Sequence, residues 1–429
     1  MSEWREYKLG EHARPISGFP FSSSGFSSEE GFPLIRIRDL IDGKTDLKFS
    51  GEFDKAYIVN KGDLLIGMDG DFHLVKWKGQ PALLNQRILK LIENKESELS
   101  LEFLFYWLDP FLLEVNDKTA ATTVKHLSTY DVVNALVIAP SYEQQKKIAN
   151  ILTTVDNLIE KTQALIDKYT QIKQGMMADL FTRGIDLSGT PQTNPNHGQL
   201  RPSVEDAPEL YQQTELGWVP KEWGGKRLED LLAEVPSAMR SGPFGSALLK
   251  YELVENGIPL LGIDNIFVEN FSNNYRRFVT QEKFNELSRY AVRPNDVVIT
   301  IMGTVGRCCV VPTDIGKALS SKHLWAMSFD KAQVIAELVC WQLNYAPWVK
   351  SWFHQKSQGG IMEAIQSSTL KNLLLPVPPL EEQINIKDIY INLHNRINKE
   401  KSYLQKLGLQ KKGLMQDLLT GKVQVNTCP

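Results

Sequence analysis

Residues 143–183 read EQQKKIANILTTVDNLIEKTQALIDKYTQIKQGMMADLFTR, and residues 381–422 read EEQINIKDIYINLHNRINKEKSYLQKLGLQKKGLMQDLLTGK. The second stretch repeats the first at a constant offset, so that Gln145 matches Gln383. Other identities at the same offset are Ile148 with Ile386, Ile159 with Ile397, Lys173 with Lys411, Met177 with Met415 and Asp179 with Asp417. The chain is therefore an internal duplication, and each copy contains one of these stretches.

Apolar side chains recur in both stretches at alternating steps of four and three residues. This heptad spacing, sustained over about five heptads, is the signature of a coiled coil whose helices would each be roughly 55 Å long. The predicted seam consists of Ile148, Leu152, Val155, Ile159, Ile166, Tyr169, Met176 and Leu180 in the first copy, and Ile386, Tyr390, Leu393, Ile397, Leu404, Leu407, Leu414 and Leu418 in the second. A helix with so narrow an apolar stripe needs a partner, and the natural partner is the other copy. The alternative is a pair of ordinary long core helices.

The two helices are predicted to pack antiparallel, with a positions beside d positions of the partner. The preferred register gives the pairs Leu152–Leu414, Ile159–Leu407, Tyr169–Ile397 and Leu180–Ile386. In this register Lys173 and Lys411 lie in the seam, and we expect their ammonium groups to extend out to solvent. A register shifted by one heptad is the nearest alternative and would set Lys411 beside Ile148.

A globular segment precedes each helix and combines short apolar runs, bounded by Gly, Pro and Asp, with one tryptophan-rich helical stretch. The predicted boundaries are 1–142 and 223–380 for the two domains, 143–183 and 381–422 for the helices, 184–222 for an extended connector without a core of its own, and 423–429 for a tail. The predicted class is α+β: two tandem α+β domains separated by a long antiparallel two-helix coiled coil, with pseudo-two-fold symmetry. Such symmetry suits a target like duplex DNA, whose half-sites lie about one helical turn apart, ~34 Å.

Composition sets limits on the class of protein. The chain has 429 residues and a net charge of −3, so any nucleic-acid binding must use local patches or partners that supply positive charge. The four cysteines include no C-x-x-C spacing, which argues against a zinc site or a disulfide framework. The N-terminus has no signal-peptide core, and no apolar run reaches membrane-spanning length. We therefore expect a cytoplasmic protein.

Motifs for autonomous catalysis are missing from the sequence. It contains no P-loop, and the glycine pair at 303–306 is better explained as a turn. Asp69 and Asp71 follow a predicted strand, but no Glu-x-Lys accompanies them, so a solvated turn is favoured over a nuclease site. The histidines lack metal-ligand spacing. We expect no catalytic residue and no metal site in this chain.

Several local motifs resemble those of one known family. They are SGPFGS at 241–246, P-P-L-x-E-Q at 378–383, LFTRGIDLSG at 180–189 and LGWVPKEW at 216–223. With these motifs the chain resembles, over essentially its whole length, the specificity (S) subunit of type I restriction–modification systems. The first half departs from the pattern, because Ser141 and Tyr142 stand where the second half has Pro379 and Leu380.

This resemblance implies two target recognition domains that each read one half of a split, asymmetric DNA sequence, with the helices setting the spacing between them. It implies two methyltransferase (M) subunits as partners, and two motor/nuclease (R) subunits in the full complex. Adenine methylation with S-adenosylmethionine then belongs to the methyltransferase, and ATP and Mg belong to the motor subunit. No cofactor is expected on this chain.

Candidate DNA contacts are chosen by residue type among polar and basic side chains in predicted loops. Arg and Lys can bind guanine edges and phosphates, and Asn and Gln can bind adenine. In the first domain the candidates are Arg36, Arg38, Lys76, Lys78, Asn85, Gln86, Arg87, Thr122, Thr123 and Lys125. In the second they are Arg240, Ser241, Arg276, Arg277, Thr304, Arg307, Ser320, Ser321, Lys322, His323, Lys356 and Gln358. The alternative for each is a solvated surface residue, a salt bridge for Arg38, or a turn cap for Asn85 and Ser320.

Two other functions compete with this one. The first is a scaffold whose coiled coil recruits partners without reading DNA, and a gel shift with the cognate methyltransferase separates the two. The second is a fragment of a nuclease–methylase fusion, against which the missing cofactor motifs argue. The DNA sequence recognised, its spacer length, and whether the system restricts or only methylates do not follow from the residues.

Overall fold

The computed structural model describes residues 4–119, 125–356 and 365–425. The chain divides into two compact units, Met1–Leu165 with Glu400–Pro429, and Ile166–Lys399. Each unit holds one globular domain and parts of both long helices. We call the part of the first unit that precedes the first long helix domain 1, and the part of the second unit between the connector and the second long helix domain 2.

Domain 1 mixes short strands with a few helices. Its strands are β1 (Arg5–Lys8), β2 (Ala13–Ser17), β3 (Phe26–Ser27), β4 (Phe32–Ile35), β5 (Lys48–Phe49), β6 (Ile58–Val59), β7 (Leu64–Gly67), β8 (Leu74–Lys76), β9 (Ala82–Leu84), β10 (Ile88–Glu93) and β11 (Leu136–Ala139). The helices are α1 (Leu9–His12), α2 (Leu101–Lys118) and α3 (Thr129–Val133), followed by the long helix α4 (Tyr142–Thr182). Within the described residues the strands form sheets of order β1-β11, β2-β10-β7-β8 and β3-β5-β4-β9-β6.

The connector and domain 2 follow. The connector contains the hairpin β12 (Tyr211–Thr214) and β13 (Gly217–Pro220). The strands of domain 2 are β14 (Gly224–Arg227), β15 (Met239–Ser241), β16 (Ile258–Leu261), β17 (Ile266–Phe267), β18 (Asn270–Phe271), β19 (Phe278–Val279), β20 (Val297–Thr300), β21 (Cys308–Val310), β22 (Leu319–Ser320), β23 (Leu324–Met327) and β24 (Leu374–Val377). The helices are α5 (Gln281–Glu286), α6 (Ala336–Tyr345), α7 (Pro347–Lys356), α8 (Ser367–Lys371) and the long helix α9 (Leu380–Leu418).

Both domains follow one plan, which confirms the α+β prediction. The antiparallel sheet β2-β10-β7-β8 corresponds to β15-β23-β20-β21, and the pair β1-β11 corresponds to β14-β24. Each domain also has one parallel pair, β4 with β9 and β16 with β22. The central strands β7 and β20 are buried along their whole length and follow tight turns, where Gly62 and Asn295 have φ values of +96° and +66°. Gly and Asn are the residues that tolerate this left-handed conformation best.

A buried glutamine attaches each long helix to its domain. Gln145 is fully buried; its amide oxygen accepts from Ser100 N at 2.9 Å, and its amide nitrogen donates to the carbonyls of Glu98 and Pro140 at 2.8 and 2.9 Å. Gln383 repeats the arrangement in domain 2. It accepts from Ile335 N at 2.9 Å and donates to the carbonyls of Gln333 and Pro378 at 2.9 and 2.8 Å. Because Ser100 and Ile335 are the N-caps of α2 and α6, the amide ties the core helix of each domain to the start of its long helix.

The long helices pack antiparallel within each unit, as predicted. In the first unit, Leu152 of α4 shares a core with Leu414 and Leu418 of α9, and Lys411 pairs with Asp156 at 2.7 Å. In the second unit, the buried residues Met177, Leu180 and Phe181 share a core with Ile386 and Tyr390, and the Arg396 guanidinium lies 4.5 Å from the ring centre of Tyr169. These contacts match the preferred register and not the register shifted by one heptad. All the predicted seam side chains are buried or half-buried.

The seam lysines differ from the prediction, because both have carboxylate partners within the protein. Lys173 pairs with Glu269 at 2.9 Å, and its ammonium lies 4.5 Å from the ring centre of Tyr390. The side chains of Lys173 and Glu269 are only 14% and 11% exposed, so this lysine does not extend out to solvent. The tight turn between β17 and β18 carries Glu269 towards the helices, and the hydroxyl of Tyr390 donates to the same carboxylate.

The connector is more ordered than its composition predicted, since it packs against the start of α9. The carboxylate of Glu382 is almost fully buried and accepts from Ile185 N at 2.8 Å, from Arg201 Nη1 at 2.5 Å and from Trp223 Nε1 at 3.1 Å. Tyr211, on the connector hairpin, is also buried. Across the described part of the chain, no helix combines the length and the apolarity needed to cross a bilayer.

Replacement of Gln383 by Leu should lower the free energy of unfolding by about 3 kcal/mol, because it leaves the Ile335 N–H and two carbonyls buried without partners. Urea unfolding of the purified chain, followed by helical circular dichroism, measures the change. Gln405→Leu is the matched control, since Gln405 is exposed on the same helix. Equal losses in the two variants would contradict the role given to the buried amide.

Replacement of Leu152 by Asp should cost about 4 kcal/mol, because it removes a fully buried side chain and places an unpaired charge in the core shared with α9. Leu409→Asp is the control, since Leu409 on α9 is 73% exposed, and it should change stability by less than about 1 kcal/mol. Comparison of the two urea midpoints checks the prediction. A Leu152 variant as stable as the control would mean that the seam does not hold the helices together.

Candidate nucleic-acid interface

The two domains have equivalent surfaces where the parallel strand pair ends. In domain 1, β4 pairs with β9 through Ile35 and Leu84, and in domain 2, β16 pairs with β22 through Leu261 and Ser320. The residues that follow these strands therefore occupy matching places in the repeated fold. The matching pairs are Arg36 and Gly262, Asn85 and Ser321, Gln86 and Lys322, and Arg87 and His323.

A glycine lets the chain pass close to this turn in each domain. A Cβ on Gly18 would collide with the backbone of Asn85, and one on Gly242 would collide with the backbone of Ser320 and Ser321. Gly18 belongs to the loop SGFPFSSSG at 17–25, and Gly242 belongs to the motif SGPFGS at 241–246. The Ser-Gly pair that begins both loops therefore has a steric basis in each half. The loops and the strand turns together shape the surface at this end of each domain.

In domain 1 this surface is a depression of about 400 Å³, which we call depression 1. Four predicted residues line it together with neighbours that were not predicted. The lining residues are Arg36, Ile37, Arg38, Ile41, His73, Asn85 and Arg87. Three guanidinium groups and an amide at one place provide the donors needed for phosphates and for base edges.

Carboxylates hold two of these arginines in place. Arg36 Nε lies 3.4 Å from Asp39 Oδ2, and Arg87 Nε lies 3.5 Å from Asp69 Oδ2. The other oxygen of Asp69 lies 2.6 Å from His126 Nδ1. Asp69 was expected in a solvated turn, but it links Arg87 to the loop that carries His126. The Arg87 side chain is 56% exposed, so its guanidinium is accessible to a ligand at this position.

In domain 2 the matching surface is a depression of about 250 Å³, which we call depression 2. The predicted residues that line it are Arg277, Ser321, Lys322 and His323, and the unpredicted Lys250 lies beside them. Within the part of the chain that the structure describes, Arg277 Nε and Ser321 Oγ are buried without a hydrogen-bond partner. Burial, followed by the charges of Lys322 and Arg277, lowers the pKa of His323, so its ring is neutral at pH 7.

Other predicted residues lie outside the two depressions. Lys76 packs against the ring of Phe105 at 4.7 Å, Lys78 pairs with Glu160 at 3.0 Å, and Lys125 donates to Asn116. These three lysines of domain 1 therefore have partners within the protein.

The remaining predicted residues lie at other positions on the two domains. The exposed Gln86 lies beside depression 1, and the exposed Arg276 lies 3.9 Å from Asp264. Thr304 and Arg307 lie on the turn between β20 and β21, and Lys356 packs on Trp352 at the end of α7. Thr122, Thr123 and Gln358 lie outside the described residues.

The structure places three predicted residues inside domain 2, so they are unsuited to contact DNA. Arg240, Ser241 and Ser320 are 4%, 6% and 0% exposed, because they lie on paired strands and not on loops. The Arg240 guanidinium pairs with Asp296 and also donates to the Ala291 carbonyl at 2.6 Å. Burial lowers the pKa of Arg240 and raises that of Asp296, which shows that removal from water outweighs their mutual attraction.

Sequence reasoning missed several residues that shape these surfaces. His73 and Lys250 line the depressions, while Asp39, Asp69 and Asp264 hold arginines that were predicted. Asp69 was considered only as part of a nuclease site or a solvated turn, and Asp264 was not considered. Lys250 lies four residues after the motif SGPFGS at 241–246, so its place beside that loop could have indicated it. No group of metal-binding side chains occurs among residues 4–119, 125–356 and 365–425.

Replacement of Arg240 by Ala should destabilise the protein by about 3–5 kcal/mol, because Asp296 would be left buried without its partner. Arg289→Ala is the control, since Arg289 is exposed on the same domain. Urea unfolding in the absence of DNA measures both variants. An Arg240 variant of unchanged stability that lost only DNA affinity would restore this residue as a DNA contact.

Comparison with known proteins gives one consistent result. Residues 1–171 match the type I restriction modification DNA specificity domain family. The chain is 29% identical over 392 residues to the Escherichia coli type I restriction enzyme EcoBI specificity subunit, which covers 89% of this chain and 77% of that protein. It is 25% identical to the MjaVIII specificity subunit of Methanocaldococcus jannaschii, which covers 99% of this chain and 93% of that protein.

Solved structures with the same fold also cover nearly the whole chain. The type I restriction–modification S subunit from M. genitalium aligns over 100% of this chain and 97% of its own, with a TM-score of 0.58 at 14% identity. A chain from a structural study of complex assembly in the type I R-M system aligns over 97% of both chains, with a TM-score of 0.55 at 17% identity. At these identities the likeness concerns the fold.

Proposed function

We infer that this chain is a specificity subunit of a type I restriction–modification enzyme, and from that premise we propose that each of its domains reads one half of a bipartite, asymmetric DNA site. The chain acts with DNA and with other subunits of the system, and the family has no cofactor of its own on this subunit. In this proposal domain 1 uses depression 1 and domain 2 uses depression 2. The paired helices α4 and α9 set the spacing between the half-sites and dock the methyltransferase subunits.

The observation that carries the proposal is the equivalence of the two depressions. They lie at the same place in the repeated fold, after the parallel strand pair, yet their side chains differ. Arg87 of depression 1 has His323 at the matching place in depression 2, and Asn85 has Ser321 there. Side chains with different donors and acceptors select different base edges. Two domains with the same fold but different side chains in the depression therefore suit a recognition sequence whose two halves differ.

The exposed basic side chains at and beside the depressions supply contacts of a second kind. Lys322 and Arg38 are attached to turns where they can reach phosphates, which position a protein without specifying sequence. The exposed Arg276 and Lys356 and the half-buried Arg307 add basic groups elsewhere in domain 2. Because the whole chain has a net charge of −3, much of the attraction to DNA would come from partner subunits.

The helices support the spacing and docking roles through their faces. The seam residues on the inner face of each helix pack against the other helix, which makes the helix pair stiff inside each unit. Their outer faces carry apolar side chains in contact with solvent: Leu409 is 73% exposed, Ile384 51% and Tyr403 45%. Exposed apolar residues on a rigid helix suit a protein partner. In the proposed complex two methyltransferase subunits dock and bind S-adenosylmethionine, and two motor subunits bind ATP and Mg.

Domain exchange tests the proposal. Residues 1–140 are replaced by the first domain of another specificity subunit, and the hybrid is expressed with its methyltransferase in a host that lacks other methylation systems. Sequencing of methylated positions should show one half of the recognised sequence changed and the other half kept, because each depression lies within a single domain. The reciprocal exchange of residues 223–380 should change the other half.

Two results would count against this function. A hybrid that changes both halves would show that the domains do not read separately. A gel shift in which the wild-type chain with its methyltransferase binds no DNA in preference to random-sequence competitor would favour the scaffold alternative.

A further inference from the structure

Both domains place one carboxylate-paired guanidinium at the same point of the fold, although the arginines come from different positions in the sequence. The turn after β4 and the turn after β16 are alike. Arg36 N donates to Asp39 Oδ2 at 2.9 Å, and Gly262 N donates to Asn265 Oδ1 at 3.0 Å. The two turns therefore share one hydrogen-bond pattern after equivalent strands, with Arg36 at the position of Gly262.

In domain 1 the guanidinium comes from the turn itself. Arg36 extends from the first position of the turn, and Asp39 of the same turn holds its Nε at 3.4 Å. The Arg36 side chain is 33% exposed, so part of it remains open to the depression that it shares with Asn85 and Arg87.

In domain 2 the matching position is a glycine, and Arg277 fills the vacant place. The Arg277 side chain crosses over Gly262, where a Cβ would collide with Arg277 Nη2 and Asp264 Oδ1. Arg277 Nη2 pairs with the Asp264 carboxylate, which belongs to the same turn. The Arg277 side chain is 36% exposed and lines depression 2 beside Ser321. Arg277, from the loop before β19, thus places its guanidinium over a turn position that has no side chain of its own.

The surroundings favour a base edge over a phosphate as the ligand of these two groups. A paired carboxylate cancels most of the charge that attracts phosphate, but it fixes the plane of the guanidinium and leaves N–H donors unused. Two parallel donors match the O6 and N7 acceptors of guanine in the major groove. The buried, unpartnered Ser321 Oγ next to Arg277 is a further polar atom at this point. Exposed side chains without a carboxylate partner at this surface, such as Lys322, are better placed for phosphates.

We propose that Arg36 and Arg277 each read one guanine, so that both half-sites contain a guanine at the position contacted by this point of the fold. Asp39 and Asp264 act as positioning residues. The inference rests on the proposed function, since it names a base that each domain recognises. It makes the two half-sites alike at one position and leaves them free to differ at the others.

Methylome sequencing of cells that carry the complete system with Arg277→Ala or Arg277→Lys tests the assignment. One G·C pair in the half-site of domain 2 should become degenerate while every other position stays specified. Arg36→Ala should relax one G·C pair in the other half-site. Arg289→Ala is the matched control and should leave the whole sequence unchanged. The lysine variant keeps the charge and most of the stem, so its result does not depend on a variant that fails to fold.

Binding to modified DNA gives a second readout. The purified complex with its methyltransferase is tested on duplexes that carry 7-deazaguanine at the relaxed position, which removes the N7 acceptor. The wild-type complex should bind this duplex less tightly than the guanine duplex, and replacement of the whole pair should cost about 5- to 150-fold. The Arg277→Ala complex should bind both duplexes equally. Asp264→Asn should reduce the discrimination at this pair and leave discrimination elsewhere unchanged, which a merely structural defect would not do.

The outcomes separate this inference from the function on which it rests. If the arginine variants keep full specificity, relax an A·T pair, or weaken binding equally at all sequences, the guanine assignment is wrong while bipartite recognition stands. If the wild-type complex itself shows no bipartite methylated sequence, the proposed function is wrong.

Discussion

One buried amide at the start of each long helix is the interaction on which the arrangement inside each unit depends. Gln145 and Gln383 each satisfy one N–H and two carbonyls that would otherwise be buried without partners. A glutamine is well suited to this position, because it has a donor group and an acceptor at the end of a side chain that carries no charge. The amide joins the first turn of the long helix to the N-cap of the core helix, so the helix leaves its domain in a single direction.

Each unit holds the end of one long helix as well as the start of the other. In the second unit, Gly184 follows α4 and packs against Trp223, and in the first unit Gly421 follows α9 and packs against Trp4. Both glycines have positive φ values, +62° and +74°, which suit residues just beyond a helix C-terminus. In each unit the residues that pair the two long helices belong to the same hydrophobic core as residues of the domain. Separation of the helices would therefore also expose part of the domain core. The duplicated sequence explains why the same solution occurs twice.

Periodicity predicted the helices well because a heptad pattern depends on local spacing alone. The pairing of α4 with α9 and its register followed from the length of the two seams. The partner of Lys173 did not follow, since Glu269 comes from a turn far away in sequence that holds this residue at φ +60°. The same limit applies to the interface. Residue type selected Arg36, Arg87 and Arg277, which line the two depressions. It also selected Arg240, Ser241 and Ser320, which are buried, because only strand pairing shows which polar residues are inside the domain.

The repeated fold can vary its surface because the candidate contacts lie just beyond strands whose backbone groups are already paired. A change of side chain there leaves the ladder of β4 with β9, or of β16 with β22, intact. The turn after β16 illustrates this freedom, since Gly262 has no side chain and Arg277 passes over it. A carboxylate-paired guanidinium therefore lies at this turn in both domains, although it comes from different positions in the sequence. An alignment of the two halves by sequence would pair Arg36 with Gly262 and miss the equivalence, which only the strand register and the path of the Arg277 side chain reveal.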